Sequence, residues 1–243
     1  YDFYKTEAMA LLAFKLGEID TIEELGAIGG LSSWGNVQTQ SYTKYNQIVA
    51  LFFNLHEPAL KEKSFRQALG YALPDFPFER AVSPISKTSW AYTDNVRIYS
   101  TDLVAAKKLL ANSKVSPEST PLTITTLTPY VDVAQSIANS WNALGLKTSV
   151  KVENTVPSEF QVLLAAQELP PDPDQYPFWH STQTQTNITG YDTNVKIDKL
   201  LEDGRQEQDQ EKRKKIYADF QRRLVEDAPA IFLYYPKAYT VTR

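Results

Sequence analysis

The stretch from residue 122 to residue 152 constrains the fold more than any other. Leu122–Leu127 alternates apolar and polar residues. Val131, Ala134, Ile137, Ala138, Trp141 and Leu144 then recur at i, i+3, i+4 and i+7 spacing, which gathers them on one face of a helix. Gly145 follows, suited to a left-handed C-cap, and Lys147–Val152 alternates again. A strand, a one-sided helix and a second strand make a βαβ unit, whose right-handed crossover implies a mixed sheet with helices packed on it.

The remaining segments supply more of both element types. Thr6–Lys15 is rich in Ala and Leu and reads as a helix closed by Gly17. Val37–Thr43 and Gln47–Leu55 read as strands, paired with one another. Ser64–Leu73 reads as a helix that stops at Pro74, because proline disfavours helical geometry in the residue before it. Asp75–Tyr99 is irregular, and Thr101–Asn112 is a helix with Thr101 or Asp102 as its N-cap. Phe160–Ala165 is an apolar strand. After it, Gln167–Thr189 is a polar and aromatic loop with four prolines, and loops of this length are often functional. Two helices close the chain. Asn194 caps the first, with Ile197, Leu200 and Leu201 inward and Gly204 ending it. The second runs from about Asp209 to Asp227, with Ile216, Tyr217, Phe220 and Leu224 inward. Its outer charges form a solvated face with pairs such as Glu211–Lys215. Ala230–Tyr235 is the last strand. The class is α+β, bordering on mixed α/β.

Several function classes drop out on composition. A net charge of −4 offers no basic footprint for nucleic acid. The absence of cysteine removes a disulfide framework, a thiolate nucleophile and a zinc–cysteine site. No run of about 18 apolar residues exists to cross a membrane as a helix. The chain opens Tyr1-Asp2-Phe3-Tyr4 without initiator methionine or signal peptide, so the expectation is that any export segment was removed. There is no G-x-S-x-G elbow, no P-loop and no H-E-x-x-H; His56 and His180 are far apart. Asp172-Pro173-Asp174 reads as a turn rather than a metal corner, since the glycine of a calcium loop is missing. No cofactor or metal is expected. Asn187-Ile188-Thr189 matches a glycosylation acceptor, a weak signal. Tyr176, Phe178, Trp179 and His180 cluster on the Pro-rich loop. Flat rings with polar tips suit stacking on an extended solute, and they equally suit plugging the loop onto the domain.

Ordered along the chain, a further set of segments resembles the extracellular solute-binding proteins that include oligopeptide-, dipeptide- and nickel-binding members. They are Ala8–Asp20 with its Gly17-Glu18-Ile19-Asp20 ending, Phe53-Asn54 followed by Ser64–Leu69, and Ala105–Leu110. Nearer the C-terminus come Asp172-Pro173-Asp174, Gly190-Tyr191, Ile197–Leu201, Arg213–Tyr217, Glu226–Pro229 and Leu233–Tyr235. The resemblance implies a periplasmic-binding-protein-like type II lobe, with a mixed sheet and flanking helices, from a two-lobed clamshell. Residues 1–36 would be a hinge-proximal segment of the first lobe, 37–235 the second, ligand-binding lobe, and 236–243 a return strand toward the hinge. It also implies a non-catalytic, extracytoplasmic monomer that hands a solute, peptide-like first, to an ABC permease in the membrane. An oligosaccharide or nickel complex is the alternative within the family. A carboxylate hydrolase on Asp172 and Asp174, or an interaction module on the charged helix face, are the alternatives outside it. In peptide-binding relatives an acidic residue before the Asp/Glu-Pro step meets the peptide amino terminus. Here Leu169 falls at that position with Glu168 beside it, so either Glu168 supplies the carboxylate or the solute is not a peptide. Pro74 is a second departure, where relatives usually continue Ala-Ile-Asp. The expected solute contacts are Glu168, Tyr176, Trp179, His180 and Trp90.

Overall fold

Gln47–Phe53 is apolar at every position after the first, so both of its faces need cover, and all six of those residues are buried. Gln38–Thr43 is polar throughout and almost wholly exposed. The two strands therefore cannot share one buried sheet, and they lie in different sheets.

The computed structural model describes residues 1–192 and 194–243. In chain order its elements begin with α1 (Glu7–Leu16), β1 (Thr21–Leu25), β2 (Gln38–Thr43), β3 (Gln47–Phe53), α2 (Lys63–Tyr71) and α3 (Leu103–Asn112). The βαβ unit follows as β4 (Pro121–Leu127), α4 (Val131–Asn142) and β5 (Lys147–Glu153). Then come β6 (Val162–Glu168), the single turn α5 (Tyr176–Trp179), α6 (Val195–Gln206), α7 (Gln210–Asp227), β7 (Ala230–Tyr234) and β8 (Lys237–Thr242).

One sheet has the order β1-β8-β2 and is antiparallel. With α1 it encloses a small core of Ala10, Phe14, Ile22, Leu25, Leu31 and Val241. The other has the order β5-β4-β6-β3-β7, with β4 parallel to β5 and β6, and β3 antiparallel to β6 and β7. The expected pairing of residues 37–43 with 47–55 is thus corrected: β2 bonds β8, while β3 lies between β6 and β7. The chain passes between the sheets at residues 44–46 and 235–236, where Lys44 N–H donates to the Pro236 carbonyl at 2.8 Å.

Neighbouring residues of a strand point to opposite faces, and β7 shows what covers each. Ile231 meets α2 so closely that a Cβ on Gly70 would sit 3.0 Å from its Cδ1. Phe232 meets the edge of Trp179 on the other side, with ring centroids 6.3 Å apart. Helix α4 packs onto α2, its Trp141 indole donating to the Leu69 carbonyl at 3.0 Å. Gly204 does not end its helix as expected. It lies inside α6, where an added Cβ would come within 2.9 Å of the Tyr217 ring, so glycine sets the close approach of α6 to α7. Among the described residues the charged face of α7 carries Asp219 paired with Arg222 and Arg223, not the expected Glu211–Lys215 pair. No helix is long and apolar enough to cross a membrane among the described residues.

Candidate functional site

Strands β4, β5, β6 and β7 all run the same way, so their carboxyl ends share one edge of the large sheet. The chain leaves for the small sheet from that same edge. In open α/β sheets, ligands bind outside the carboxyl ends of strands, where loops leave polar groups facing a crevice. Glu168 ends β6 there, exposed, and its Oε1 accepts from Gln47 Nε2 at 2.6 Å. Tyr130, at the N-terminus of α4, is half-buried. Burial, and then the charges of Glu168 and Glu7, push its phenol above the ordinary tyrosine value. Glu168 belongs to the large sheet and Glu7 to α1, so this phenol marks where the two units face each other. At the neighbouring strand end, Phe78 stacks on Tyr234 at 4.5 Å. Tyr45 donates to Glu79 Oε2 at 2.6 Å, and the Glu79 carboxylate also pairs with Lys87. Lys87 first, then Tyr45, hold that carboxyl below its usual range.

A pocket of about 300 Å³ opens beside the last residues of β6. Phe52, Leu163, Ala165 and Trp179, all buried core residues, form its floor. Val156, Phe178 and Ile188 are among its walls, and Val156 and Ile188 are exposed. Gln167 lines it too. Its Oε1 is buried and has no hydrogen-bond partner among the described residues, a state that costs free energy until a donor arrives.

The expected contact residues are distributed unevenly around this pocket. Glu168 does not line it: one residue beyond Gln167 in the same strand, it turns to the other face of the sheet, toward Gln47, with its carboxylate exposed. Leu169 is buried and held by its backbone N–H to the Asn46 carbonyl at 2.7 Å. Trp179 contributes to the pocket floor while its indole donates to Gln175 Oε1 at 3.2 Å. Tyr176 stacks on His180 at 4.0 Å between ring centroids, and the Arg205 guanidinium covers the Tyr176 ring at 3.9 Å. His180 is itself buried, with the Thr182 backbone N–H directed at Nδ1 from 3.2 Å. Trp90 lies apart from them, packed edge-on against Tyr217 of α7 and under Arg213. The loop thus brings Tyr176, Trp179 and His180 together and leaves Trp90 on another surface.

The remaining motif residues serve the fold. Arg213 grips Asp172 with two parallel bonds of 2.8 and 3.0 Å, which hold that carboxyl below its usual range. Arg205 binds Asp174 at 2.7 Å. Both carboxylates are engaged by arginines and do not face one another across a pocket. Asn187 is buried, and its amide donates to the Tyr191 carbonyl at 2.9 Å while accepting from Thr189. It staples the loop and is not an open acceptor for a sugar. His56 packs against Gly190, whose φ of 63° and missing Cβ make room for the ring. No group of three or more His, Cys, Asp or Glu suited to a metal occurs among the described residues.

The sequence reading did not single out Gln167, Val156 or Ile188. Apolar residues in the middle of polar segments, Asn154–Pro157 and Thr186–Thr189, are the one signal that bears on the last two.

The sequence model for bacterial extracellular solute-binding proteins, family 5 Middle, matches residues 1–188. The oligopeptide-binding protein AppA of Bacillus subtilis (strain 168) is 26% identical, over 77% of this chain and 41% of its own. The chain therefore spans less than half the length of that curated relative. Among solved structures, the ABC transporter substrate-binding protein CtaP of Listeria monocytogenes superposes with a TM-score of 0.86 at 24% identity, covering 99% of this chain and 54% of the other. AppA of Bacillus subtilis, in complex with a nonapeptide, superposes at 0.83 with 22% identity over 97% of this chain and 54% of the other. The fold is shared along nearly the whole chain, and the chain belongs to the bacterial extracellular solute-binding proteins, family 5.

Proposed function

We propose that this family-5 chain supplies one lobe of the solute-binding component of an ABC importer and captures a peptide-like solute against the carboxyl edge of its large sheet. The component would work outside the cytoplasm, without catalysis, and deliver the closed complex to a membrane permease. The observation that carries this reading is the exposed carboxylate of Glu168 at the carboxyl end of β6, which is engaged by the neutral Gln47 amide and by no cation among the described residues. An ammonium entering a partly dry cleft needs such a partner. The name of the AppA relative and the nonapeptide in its solved complex support a peptide over other solutes. In this reading Glu168 meets the amino terminus and Trp179 contacts the solute through the pocket floor. Tyr176 and His180 hold the loop in place, and Trp90 braces α7. Closure is driven by contacts that the solute makes only in the closed state.

The test is a thermal-shift series on the protein in its full natural length. The panel holds short peptides with free and with acetylated amino termini, an oligosaccharide and a nickel–histidine complex. A ligand at one hundred times its Kd stabilises the folded state by about 2.7 kcal/mol. The expected result is a shift with free-amino peptides that falls away on acetylation and in Glu168→Gln. A shift with the sugar or the nickel complex alone overturns the peptide reading. Equal shifts with free and acetylated peptides, unchanged in Glu168→Gln, overturn the role of Glu168.

A further inference from the structure

We infer that Tyr45 is the fulcrum of the hinge between the two sheets: its side chain is clamped to the large-sheet unit, so opening and closing turn the chain just before it. This makes Tyr45 a positioning residue for the closure proposed above, on which the inference rests.

The chain crosses between the units twice, at residues 44–46 and 235–236. At the first crossing, consecutive side chains are held by opposite units. Lys44 pairs with Glu24 of β1, in the small-sheet unit, at 3.7 Å. Tyr45, the next residue, is held by the other side. Its hydroxyl donates to Glu79 Oε2 at 2.6 Å, and its ring meets Tyr235 edge-on with centroids 5.2 Å apart. Both partners are anchored in the large unit. Tyr235 is fully buried in its core, its N–H donates to the Glu79 carbonyl at 2.8 Å, and its hydroxyl accepts the Lys87 N–H at 2.9 Å. The Lys87 ammonium pairs with Glu79 Oε1. Beyond Tyr45 the backbone is tied as well, since the Leu169 N–H donates to the Asn46 carbonyl at 2.7 Å. Lys44 alone therefore separates the end of β2 from this clamp.

A hinge is a few residues that absorb the change in φ and ψ between two bodies, and it stays short only where its flanks are held. The second crossing adds little rotation of its own. The ring of Pro236 fixes its φ, Tyr235 before it is buried, and Lys237 after it already pairs with Thr43. The turn falls on the step from Lys44 to Tyr45, where the grip passes from one unit to the other.

The experiment is pulsed EPR on the ligand-free protein in its full natural length, in a background without other cysteines. Spin labels at Lys15→Cys in α1 and Lys108→Cys in α3 read the distance between the units. Labels at Lys108→Cys and Lys214→Cys in α7 read a distance within the large unit. Tyr45→Phe is expected to make the between-unit distribution roughly half as wide again, because freeing Tyr45 lengthens the hinge. Lys87→Met, which loosens Glu79, should widen it less. The within-unit distribution should stay as it is in both variants. Tyr42→Phe removes a similar hydroxyl–carboxylate bond, to Glu24 at 3.4 Å inside the small unit, and should leave both distributions unchanged. A between-unit distribution unmoved by Tyr45→Phe overturns the inference and leaves closure standing. Widening of the within-unit pair as well, or equal widening in Tyr42→Phe, gives Tyr45 no special place at the hinge and likewise overturns it. A parent distance that none of the free-amino peptides of the thermal-shift panel shifts, although they bind, overturns closure itself and the inference with it.

Discussion

The end of α7 and the end of β6 treat their polar groups in opposite ways. At the end of α7 every strong group is engaged. Arg66 is only 4% exposed, and its guanidinium donates to the carbonyls of Leu60, Lys61, Asp227 and Ala228 at 2.5 to 3.0 Å. Asp227 in turn accepts from Tyr191, Asn194 and Lys63. At the end of β6, Gln167 has a buried oxygen without a partner and Glu168 has only the Gln47 amide. A satisfied network adds stability and specifies one arrangement of the chain. An unsatisfied one lowers stability unless a partner arrives from outside. The contrast separates the part of this chain that holds the fold from the part proposed to hold a ligand.

The sharpest way to break that contrast is at Arg66. Its guanidinium stands where the last carbonyls of α7 point, and the helix dipole favours a cation there. Ala228 takes a left-handed φ of 51° at the cap, which a tightly held C-terminus has to support. Arg66→Ala is expected to cost about 2–4 kcal/mol, since it leaves buried carbonyls without their charged donor, and chemical denaturation measures it. Peptide affinity of the fraction that remains folded should be unchanged. A loss below about 1 kcal/mol would show that the network is dispensable to the fold.

Asp227 gives the same region a pH dependence. Burial pushes its carboxyl upward, but the bonds from Tyr191, Lys63 and Asn194 outweigh burial and leave it below the ordinary aspartate value. A carboxyl lowered in the folded state contributes stability that is fully present above its unfolded value, near 3.8, and is lost as pH falls through the folded value. Melting temperature should therefore decline below about pH 4. Asp227→Asn should cost about 1.5–3 kcal/mol at pH 7 and make the decline shallower. Parallel curves for the variant and the parent would assign the acid sensitivity to other lowered carboxyls, such as Glu226 and Asp172.

Much of the fold was legible because apolar period reports which face of an element is buried. It placed the βαβ unit, the Asn194 and Asp209 helix starts and the buried β3 within a few residues. What period does not report is the covering partner. β2 is polar on both faces, which suits only the exposed small sheet, and nothing local names β8, two hundred residues away, as its neighbour. The aromatic cluster fails for a related reason. Trp179 in a polar loop reads the same whether its ring plugs the core or meets a solute, and here it closes the core while flooring a pocket. That pocket joins residues 52, 156, 163, 179 and 188, which come together only after the sheet has formed. Glu168 entered the reading through its neighbour Leu169, because a missing charge at an expected position directs attention to the nearest one.

Gln167 offers the smallest effect and the closest test of the contrast. Gln167→Met keeps the length of the side chain and removes a buried oxygen that has no partner. If that oxygen waits for a solute, the ligand-free protein should be unchanged or more stable by no more than about 1 kcal/mol, since an unsatisfied polar group is lost without breaking a bond. Peptide affinity should fall roughly fivefold to tenfold, the worth of one hydrogen bond. The two measurements move in opposite directions only for a group kept for binding. A fall in ligand-free stability without a fall in affinity would mean that Gln167 serves the fold, as Arg66 does, and the end of β6 would then rest on the Glu168 carboxylate alone.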